Sequence, residues 1–473
     1  MPPLPRRPLL CHLVLLAAGT AALDNGLRVP PMGWSSWYGF TNNINETLFR
    51  ETGDGLISSG LAAAGYTTVW ISDGWAIGRD NKTGHVIEDP AVFPAGIKAL
   101  ANYLHGRDLA VGIYTSVGPL TCLGLSPSQP KRPGSCGFEQ NDADVYVHEW
   151  GVDAIFDDGC GQCPQHDPYT AMRDALNRTG RAVWYAIHGG TSPGSPNGTV
   201  ANMWRTGNDL HDSTFAMWTS RLDTATTPSQ TGLAGPGAFR DPDKLEVGYS
   251  PQAPKENRGV MTAREQRAMF TMWAALPAPL ILSADLRAST SGIDADALAT
   301  LTNAEVIAVN QDPAAEPMRL VSNSSAHGLQ VWRRPLSGGA LAVVFFHRGA
   351  NTTGSLPGAA PAQTIEVDLA ALDYPQGTRV AVRDLWAKVD LGVATASFSA
   401  SVAVREAKIY TFAQAPASPP APDPDVLPLA LFEPSTGAMC LDGSMGGYHA
   451  RKGSKTQLMV SLPVSDATPL PPI

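Results

Sequence analysis

A chain of 473 residues with 43% hydrophobic content is long enough for two or three domains around a large core. Its net charge of −9 is spread along the chain without blocks, so it lacks the basic face that a nucleic-acid partner would require. Charged residues make up only 16%, while Gly (46) and Pro (40) are plentiful, as in a loop-rich protein that binds through neutral polar groups.

The chain opens with Arg6 and Arg7, a short apolar run from Leu9 to Leu16, and small residues from Ala17 to Ala22. That order predicts a secretory signal peptide over 1–22. The run is too short to span a bilayer, and no later stretch is long and apolar enough, so no membrane association is expected after cleavage. Six Asn-x-Ser/Thr sequons, at Asn45, Asn81, Asn177, Asn197, Asn323 and Asn351, fit the same route. Of the six cysteines, Cys11 falls in the signal. Oxidised pairing is expected among Cys122, Cys136, Cys160, Cys163 and Cys440, and the odd one out is assigned to Cys440. Cys160-Gly-Gln-Cys163 has the spacing of a redox or zinc motif. No second close Cys pair or His set accompanies it, so disulfide pairing is the preferred reading.

Next comes Pro31-Met-Gly-Trp34-Ser-Ser-Trp37, followed by helical spacing from Leu48 to Ala64, ending at Gly65. Thr67–Ile71 is β-branched and reads as a strand tipped by Ser72-Asp73-Gly74. Strands are likewise predicted at 109–114, over the stretch 154–160, at 182–187, from 203–205 running to 209, with a strand end at 238–243, and at 279–283. Helices are predicted at 97–105, 142–150, 169–178, 214–222, 264–276 and 294–301. About eight strand–helix repeats fit an α/β fold of the (β/α)₈ TIM-barrel type over 23–313. An open doubly wound sheet would carry a Gly-rich phosphate loop after its first strand, and the sequence has none. From about Pro317 short strands follow one another without helices, which predicts a C-terminal antiparallel β-sandwich over 317–413. Residues 414–428 are Pro/Ala-rich and read as a linker. The tail 429–473 shows no period and receives no role.

The chemistry-bearing stretch is Ala154-Ile-Phe-Asp157-Asp158-Gly159-Cys160. It is a buried strand ending in two carboxylates, placed where barrel mouths carry their sites. Asp-Gly also marks turns and helix starts, so a structural role is open from this stretch alone.

Leu23-Asp-Asn-Gly-Leu, Pro31-Met-Gly-Trp, Gly112-Ile-Tyr114, Trp150-Gly-Val-Asp, Asp158-Gly-Cys160, Asp241-Pro-Asp243, Ala278-Pro-Leu-Ile, Asp285-Leu-Arg287 and Asn310-Gln-Asp-Pro occur in that order. With these motifs the chain resembles the lysosomal and secreted α-galactosidases and α-N-acetylgalactosaminidases, a clan D glycoside hydrolase family, over roughly 23–413. The resemblance implies a retaining glycosidase acting on terminal α-D-galactosyl residues, with a glycan or oligosaccharide as its partner. It implies Asp158 as nucleophile and Asp209, in Trp204-Arg205-Thr-Gly-Asn-Asp209, as acid/base. The alternative for Asp209 is the N-cap of the following helix. Trp34 matches an aromatic that packs on the sugar, with core packing as the alternative; Asp73 matches the second acid of a pair that binds its hydroxyls; and Tyr114 matches a pocket tyrosine beside the nucleophile, with core packing almost equally open. Arg205 matches a hydroxyl-binding arginine. Asp243 lies near the site, with a turn role equally open. Cys122 and Cys160 match a disulfide that braces the nucleophile loop, leaving Cys136 and Cys163 as a second pair. No cofactor and no metal are implied, because two carboxylates supply both proton and nucleophile. The location is secreted or lysosomal/vacuolar, and a homodimer is left open.

Three positions depart from that pattern. Ser72 stands where the family has the first acid of the pair, Phe156 where a lysine two residues before the nucleophile touches the sugar, and His188 near a glutamate that reads the 2-position. Both Phe156 and His188 should enter the pocket. Polar contacts are thus altered while both catalytic acids remain. One reading is a glycosidase, either a divergent α-galactosidase or one shifted to a relative such as a β-L-arabinopyranoside. The other is a sugar-binding protein without turnover.

Overall fold

The computed structural model describes residues 25–188, 200–210, 214–231, 234–248, 261–289, 292–324, 327–349 and 361–416, with two short pieces at 426–428 and 449–451. The signal-peptide reading, Cys440, Asn197, Asn351 and most of the tail lie outside these residues.

Eight strands run parallel in one sheet: β1 Met32–Ser35, β2 Thr68–Ile71, β3 Ala110–Ser116, β4 Ala154–Asp158, β5 Trp184–Ile187, β6 Met203–Arg205, β7 Phe239–Asp241 and β8 Leu280–Leu282. Their spatial order is β8-β1-β2-β3-β4-β5-β6-β7. Just past β7, Leu245 pairs in parallel with Leu282 and donates its N–H to the Ile281 carbonyl, which closes the sheet into a barrel. Every β-strand pair here is parallel and buried on both faces, as an α/β barrel requires.

Helices cover the outside: α1 Glu46–Ser58, α2 Ile97–His105, α3 Glu139–Asp144, α4 Pro168–Arg178, α5 Phe215–Ala225, α6 Ala263–Ala275, α7 Ala295–Leu301 and α8 Ala304–Asn310. Their starts are coded locally. Asn45, Thr214 and Asp294 accept backbone N–H groups at the N-termini of α1, α5 and α7, and Thr262 with Glu265 forms a capping box on α6. The helix expected over 48–64 stops at Ser58, because Gly60 takes a φ of +82° and turns the chain. The helix expected over 142–150 is two segments, α3 and a wider-turned continuation over Val145–Trp150.

Alternation along the strands sorts side chains into two cores. Outward residues such as Trp34, Val69, Ile113, Tyr185 and Trp204 pack beneath the helices. Inward residues such as Trp70, Ala154, Ala186, Met203, Phe239 and Ile281 fill the barrel's interior. Trp70 fits because Gly112 lies beside it: a Cβ there would meet its ring at 2.3 Å. These side chains fill the barrel's interior below its rim.

A second sheet follows, with β9 Arg319–Ser324, β10 Leu329–Pro335, β11 Leu341–His347, β13 Val380–Asp384, β14 Val389–Ala394 and β16 Glu406–Gln414 in the order β9-β10-β11-β16-β13-β14. Across from it pair β12 Gln363–Asp368 and β15 Ser397–Val402. All neighbours are antiparallel, and Val343, Phe345, Val367 and Phe412 share the core. Strands β9 and β14 carry few buried apolar residues, so their pattern does not read as strand in the sequence. The sandwich is fixed to the barrel. Arg405 pairs with Glu265 of α6, buried Arg334 donates to the Val309 and Ala274 carbonyls, and Phe346 stacks on Trp218. Separately, Val426–Pro428 and His449–Arg451 pair as a short antiparallel ribbon.

Candidate active site

The C-terminal ends of the barrel strands surround a cavity of about 370 Å³. It gathers Asp158, Asp209, Tyr114, Phe156, His188, Arg205 and Asp243 from β3 to β7 and the loops beyond them. Inward parity explains the set on β4: Phe156 and Asp158 face the cavity, while Asp157 points out beneath the helices.

Asp158 is held by three donors. Its Oδ1 accepts from His188 Nδ1 at 2.8 Å and from the Gly159 N–H at 2.8 Å. Its Oδ2 accepts from the Tyr114 hydroxyl at 2.8 Å. An ionised carboxylate only accepts, so His188 carries its proton on Nδ1. Burial pushes the Asp158 carboxyl up, but His188, Tyr114 and Gly159 together outweigh it and hold the group below the usual carboxylate range. The loop is braced as well. Cys160 is bonded to Cys122, with Cα atoms 5.2 Å apart, and Ser116 Oγ donates to the Asp158 and Cys160 carbonyls. Cys136 and Cys163 form a second bond nearby.

Asp157 beside it differs entirely. It is fully buried, its Oδ2 takes one hydrogen bond from Tyr185, and Oδ1 has no partner. Burial drives its carboxyl far above the usual range. One residue of strand parity therefore separates a site that stabilises an anion from one where burial works against the charge.

Asp209 follows β6 and is pinned through its backbone. Arg221 donates to its carbonyl, and the next residue's N–H, on Leu210, donates to Asp243 and to the Tyr38 hydroxyl. Its side chain stays about a third exposed at the cavity, 3.0 Å from Arg205 Nη2. Helix α5 takes its N-cap from Thr214, so Asp209 is not that cap. Arg205 also reaches Asp243 at 2.9 Å, and Tyr38 donates to the same carboxylate. Burial pushes the Asp243 carboxyl up, but Arg205, then Lys244 and Tyr38, hold it low. Asp243 has a φ of +93°, a left-handed conformation that costs a non-glycine residue about 1–3 kcal/mol. Those carboxylate contacts, and Trp273 Nε1 on its carbonyl, hold it there.

Two expected site residues do not face the cavity. Trp34 lies on the outward face of β1, fully buried against Phe40 and Phe49, with Nε1 donating to the Ala284 carbonyl. Parity hands the cavity to Ser35, and the rim aromatics from this segment are Trp37 and Tyr38. Asp73 is buried with its carboxylate turned to the Leu123 and Gly74 N–H groups, so it anchors the loop that carries Cys122. Ser72 lines the cavity instead and bonds Ser35 at 3.0 Å. Sequence reading missed Trp37, Tyr38, Asn208, Asp241 and Lys244, all of which line the cavity. The doubled aromatic after Trp34 and the acids of Asp241-Pro-Asp243-Lys244 were the available signals.

Among the described residues, two groupings have metal-ligand spacing: Cys122–Asp158–Cys160 and Glu139–Cys163–His166. Both spend their cysteines in disulfides, and a metal needs the thiolate.

A closed α/β barrel whose strand ends bring Asp158 and Asp209 to one sugar-sized cavity, beside Asp241 and Asp243, is an architecture that suits a glycoside hydrolase. Residues 29–312 match the family model described as alpha galactosidase A, and 326–412 match the model of the alpha galactosidase C-terminal beta sandwich domain. Alpha-galactosidase 3 of Arabidopsis thaliana is 38% identical, over 83% of this chain and 84% of that one. A probable alpha-galactosidase of Dictyostelium discoideum is 39% identical, over 82% and 93%. The crystal structure of alpha-galactosidase I from Mortierella vinacea superposes with a TM-score of 0.69 at 26% identity, covering 83% of this chain and 98% of that one. The chain belongs to the α-galactosidase family of glycoside hydrolases.

Proposed function

We propose that this chain cleaves terminal α-D-galactosyl residues with retention of configuration, through Asp158 and Asp209. One observation carries the reading: Asp158 is kept ionised by three donors at the same cavity that Asp209 faces. Asp158 attacks the anomeric carbon, the glycosidic C–O bond breaks, and Asp209 gives its proton to the leaving oxygen. Asp209 then takes a proton from water, whose oxygen displaces Asp158 from the glycosyl ester. Retention needs the two carboxyl groups about 5–5.5 Å apart across the sugar. Arg205 orients Asp209 and neutralises Asp243 behind it. Tyr114 and Phe156, stacked with centroids 6.0 Å apart, offer an apolar wall to the ring.

Specificity within the family has a second reading. Ser72 lines the cavity while Asp73 turns away, so this part of the rim presents hydroxyls where an acid pair would bind an exocyclic hydroxyl. A β-L-arabinopyranoside has the galactose ring without that carbon and needs no such acid. Both substrates are p-nitrophenyl glycosides that one panel compares, together with the α-N-acetylgalactosaminide. The wild type should release p-nitrophenol from at least one, and Asp158→Ala should fall to the uncatalysed background. Equal background rates for both would leave only a non-catalytic sugar-binding role.

The same reading sends the chain through the secretory pathway with 1–22 removed. Exposure of Asn45, Asn81, Asn177 and Asn323 supports it, as glycan attachment requires accessible sequons. No helix among the described residues is long and apolar enough to cross a membrane.

A further inference from the structure

The cavity contains a cation with no hydrogen-bonding task. Lys244 follows directly on the left-handed Asp243, and its side chain, 12% exposed, lies along the cavity wall. Its Nζ is 5.3 Å from the centroid of the Phe156 ring and 4.0 Å from Asp243 Oδ1, beyond hydrogen-bond reach. Among the described residues its three donors bond nothing. Arg205, by contrast, is ion-paired through Nη2 with both Asp243 and Asp209. Paired only loosely with Asp243, the ammonium has all three donors available to a hydroxyl-bearing occupant of the cavity.

What Phe156 displaced bears on the occupant. By resemblance, the residue two before the nucleophile is a lysine that touches the sugar. Here β4 gives a ring at that place, and β7 sends an ammonium over the face of that ring. We propose that Lys244 is the sugar-hydroxyl donor of this enzyme, replacing from β7 the cation that β4 has lost, and so is a specificity-determining residue. The proposal rests on the glycosidase reading. The occupant it defines is a neutral pyranose whose ring lies on Phe156 and whose hydroxyl oxygens accept from Nζ. Because the ammonium approaches from a different strand, it favours glycosides whose hydroxyl pattern differs from those best held by a β4 lysine.

The test is an exchange of the two positions. Lys244→Met and Lys244→Gln should lower kcat/KM on the best glycoside of the panel by roughly 10- to 100-fold, the range for one lost charge-assisted hydrogen bond. Phe156→Lys combined with Lys244→Met restores a cation from the other strand. It should recover most of that loss, with a changed ranking of glycosides. A lysine that only steadied Asp243 would not be rescued from β4, so a further fall in the double variant overturns the proposal, as does an unchanged kcat/KM in both single variants. Binding of free galactose, read by tryptophan fluorescence, separates this from failure of the glycosidase reading. If the wild type turns over nothing, that reading falls. Weaker galactose binding by Lys244→Met then still upholds the contact, and equal or absent binding removes it.

Discussion

At the scale of single residues, the site turns on how an anion is kept charged in a partly buried place. Asp158 has three donors, and His188 contributes most against the push of burial. The sign follows directly. A carboxyl held below its usual range is ionised through mildly acidic pH, so the acid limb of kcat/KM lies low. Replacing His188 by Ala removes that support and leaves burial in place, so the limb should move to higher pH while the limb set by the proton donor stays. A kcat/KM profile checks this, and an unmoved acid limb would show that His188 does not govern the nucleophile. The two tryptophans of the first segment should separate just as cleanly. Trp34→Ala removes a fully buried ring and should cost about 3–5 kcal/mol of stability. Trp37→Ala, at the rim, should raise KM with a small change in Tm. Denaturant melts and Michaelis curves on the pair decide it. If Trp34→Ala keeps its stability and loses affinity, the assignment of faces is wrong.

Among the elements, the strand tips depend on their loops for precision. The loop after β4 is tied to the loop after β3 by Cys122–Cys160, by the Ser116 hydroxyl and by the Val117 N–H on the Asp158 carbonyl. Replacing both cysteines by serine opens a 38-residue separation and should lower stability by about 2–4 kcal/mol. Activity should fall more than that of a matched Cys136/Cys163 double variant, whose bond lies further from the carboxylate. Equal activity losses would mean the bridge near Asp158 does no positioning. These ties also bear on what could be read in advance. Barrel strands were legible because they are continuous apolar runs, and Asp158, Tyr114, Arg205 and Asp243 were legible because resemblance fixes them to strand tips. Trp34 and Asp73 were misplaced, because a sequence match does not reveal parity at a short strand's end: shifting the facing by one residue gives the cavity to Ser35 and Ser72. Lys244 escaped notice because it follows a residue of positive φ, Asp243, held by long-range contacts to its carboxylate and carbonyl that the sequence does not display. Strands β9 and β14 escaped because their side chains are mostly solvated, leaving no alternation to detect.

Across the whole molecule, the barrel's outer core continues into one face of the sandwich, with Phe346 of β11 between Phe215 and Trp218 and Ile409 of β16 in the same cluster as the barrel's outward residues, while the sandwich keeps a second core between its sheets. The two should therefore melt together. What that shared transition does with pH follows from two opposed sets of buried acids. Burial raises the carboxyls of Asp157, Asp142 and Asp73 in the folded chain. For such a group the stabilising contribution is complete below the unfolded-state pKa and is lost as pH rises through the folded one. Asp158 and Asp243 are shifted downward, because hydrogen bonds and cations overcome burial. Their contribution is present above the unfolded-state pKa and is lost as pH falls through the folded one. The two windows meet at the unfolded-state carboxyl pKa, so stability should peak near the ordinary carboxylate range and decline as pH rises from there through the raised folded-state values. A calorimetric scan of Tm from about pH 4.5 to pH 8 should show a single transition falling across that span. Asp157→Asn, which keeps the shape and an acceptor for Tyr185 but cannot ionise, should flatten the decline. A Tm that climbs steadily to pH 8, with no response to Asp157→Asn, would mean the buried carboxyls do not set the acid preference of this fold.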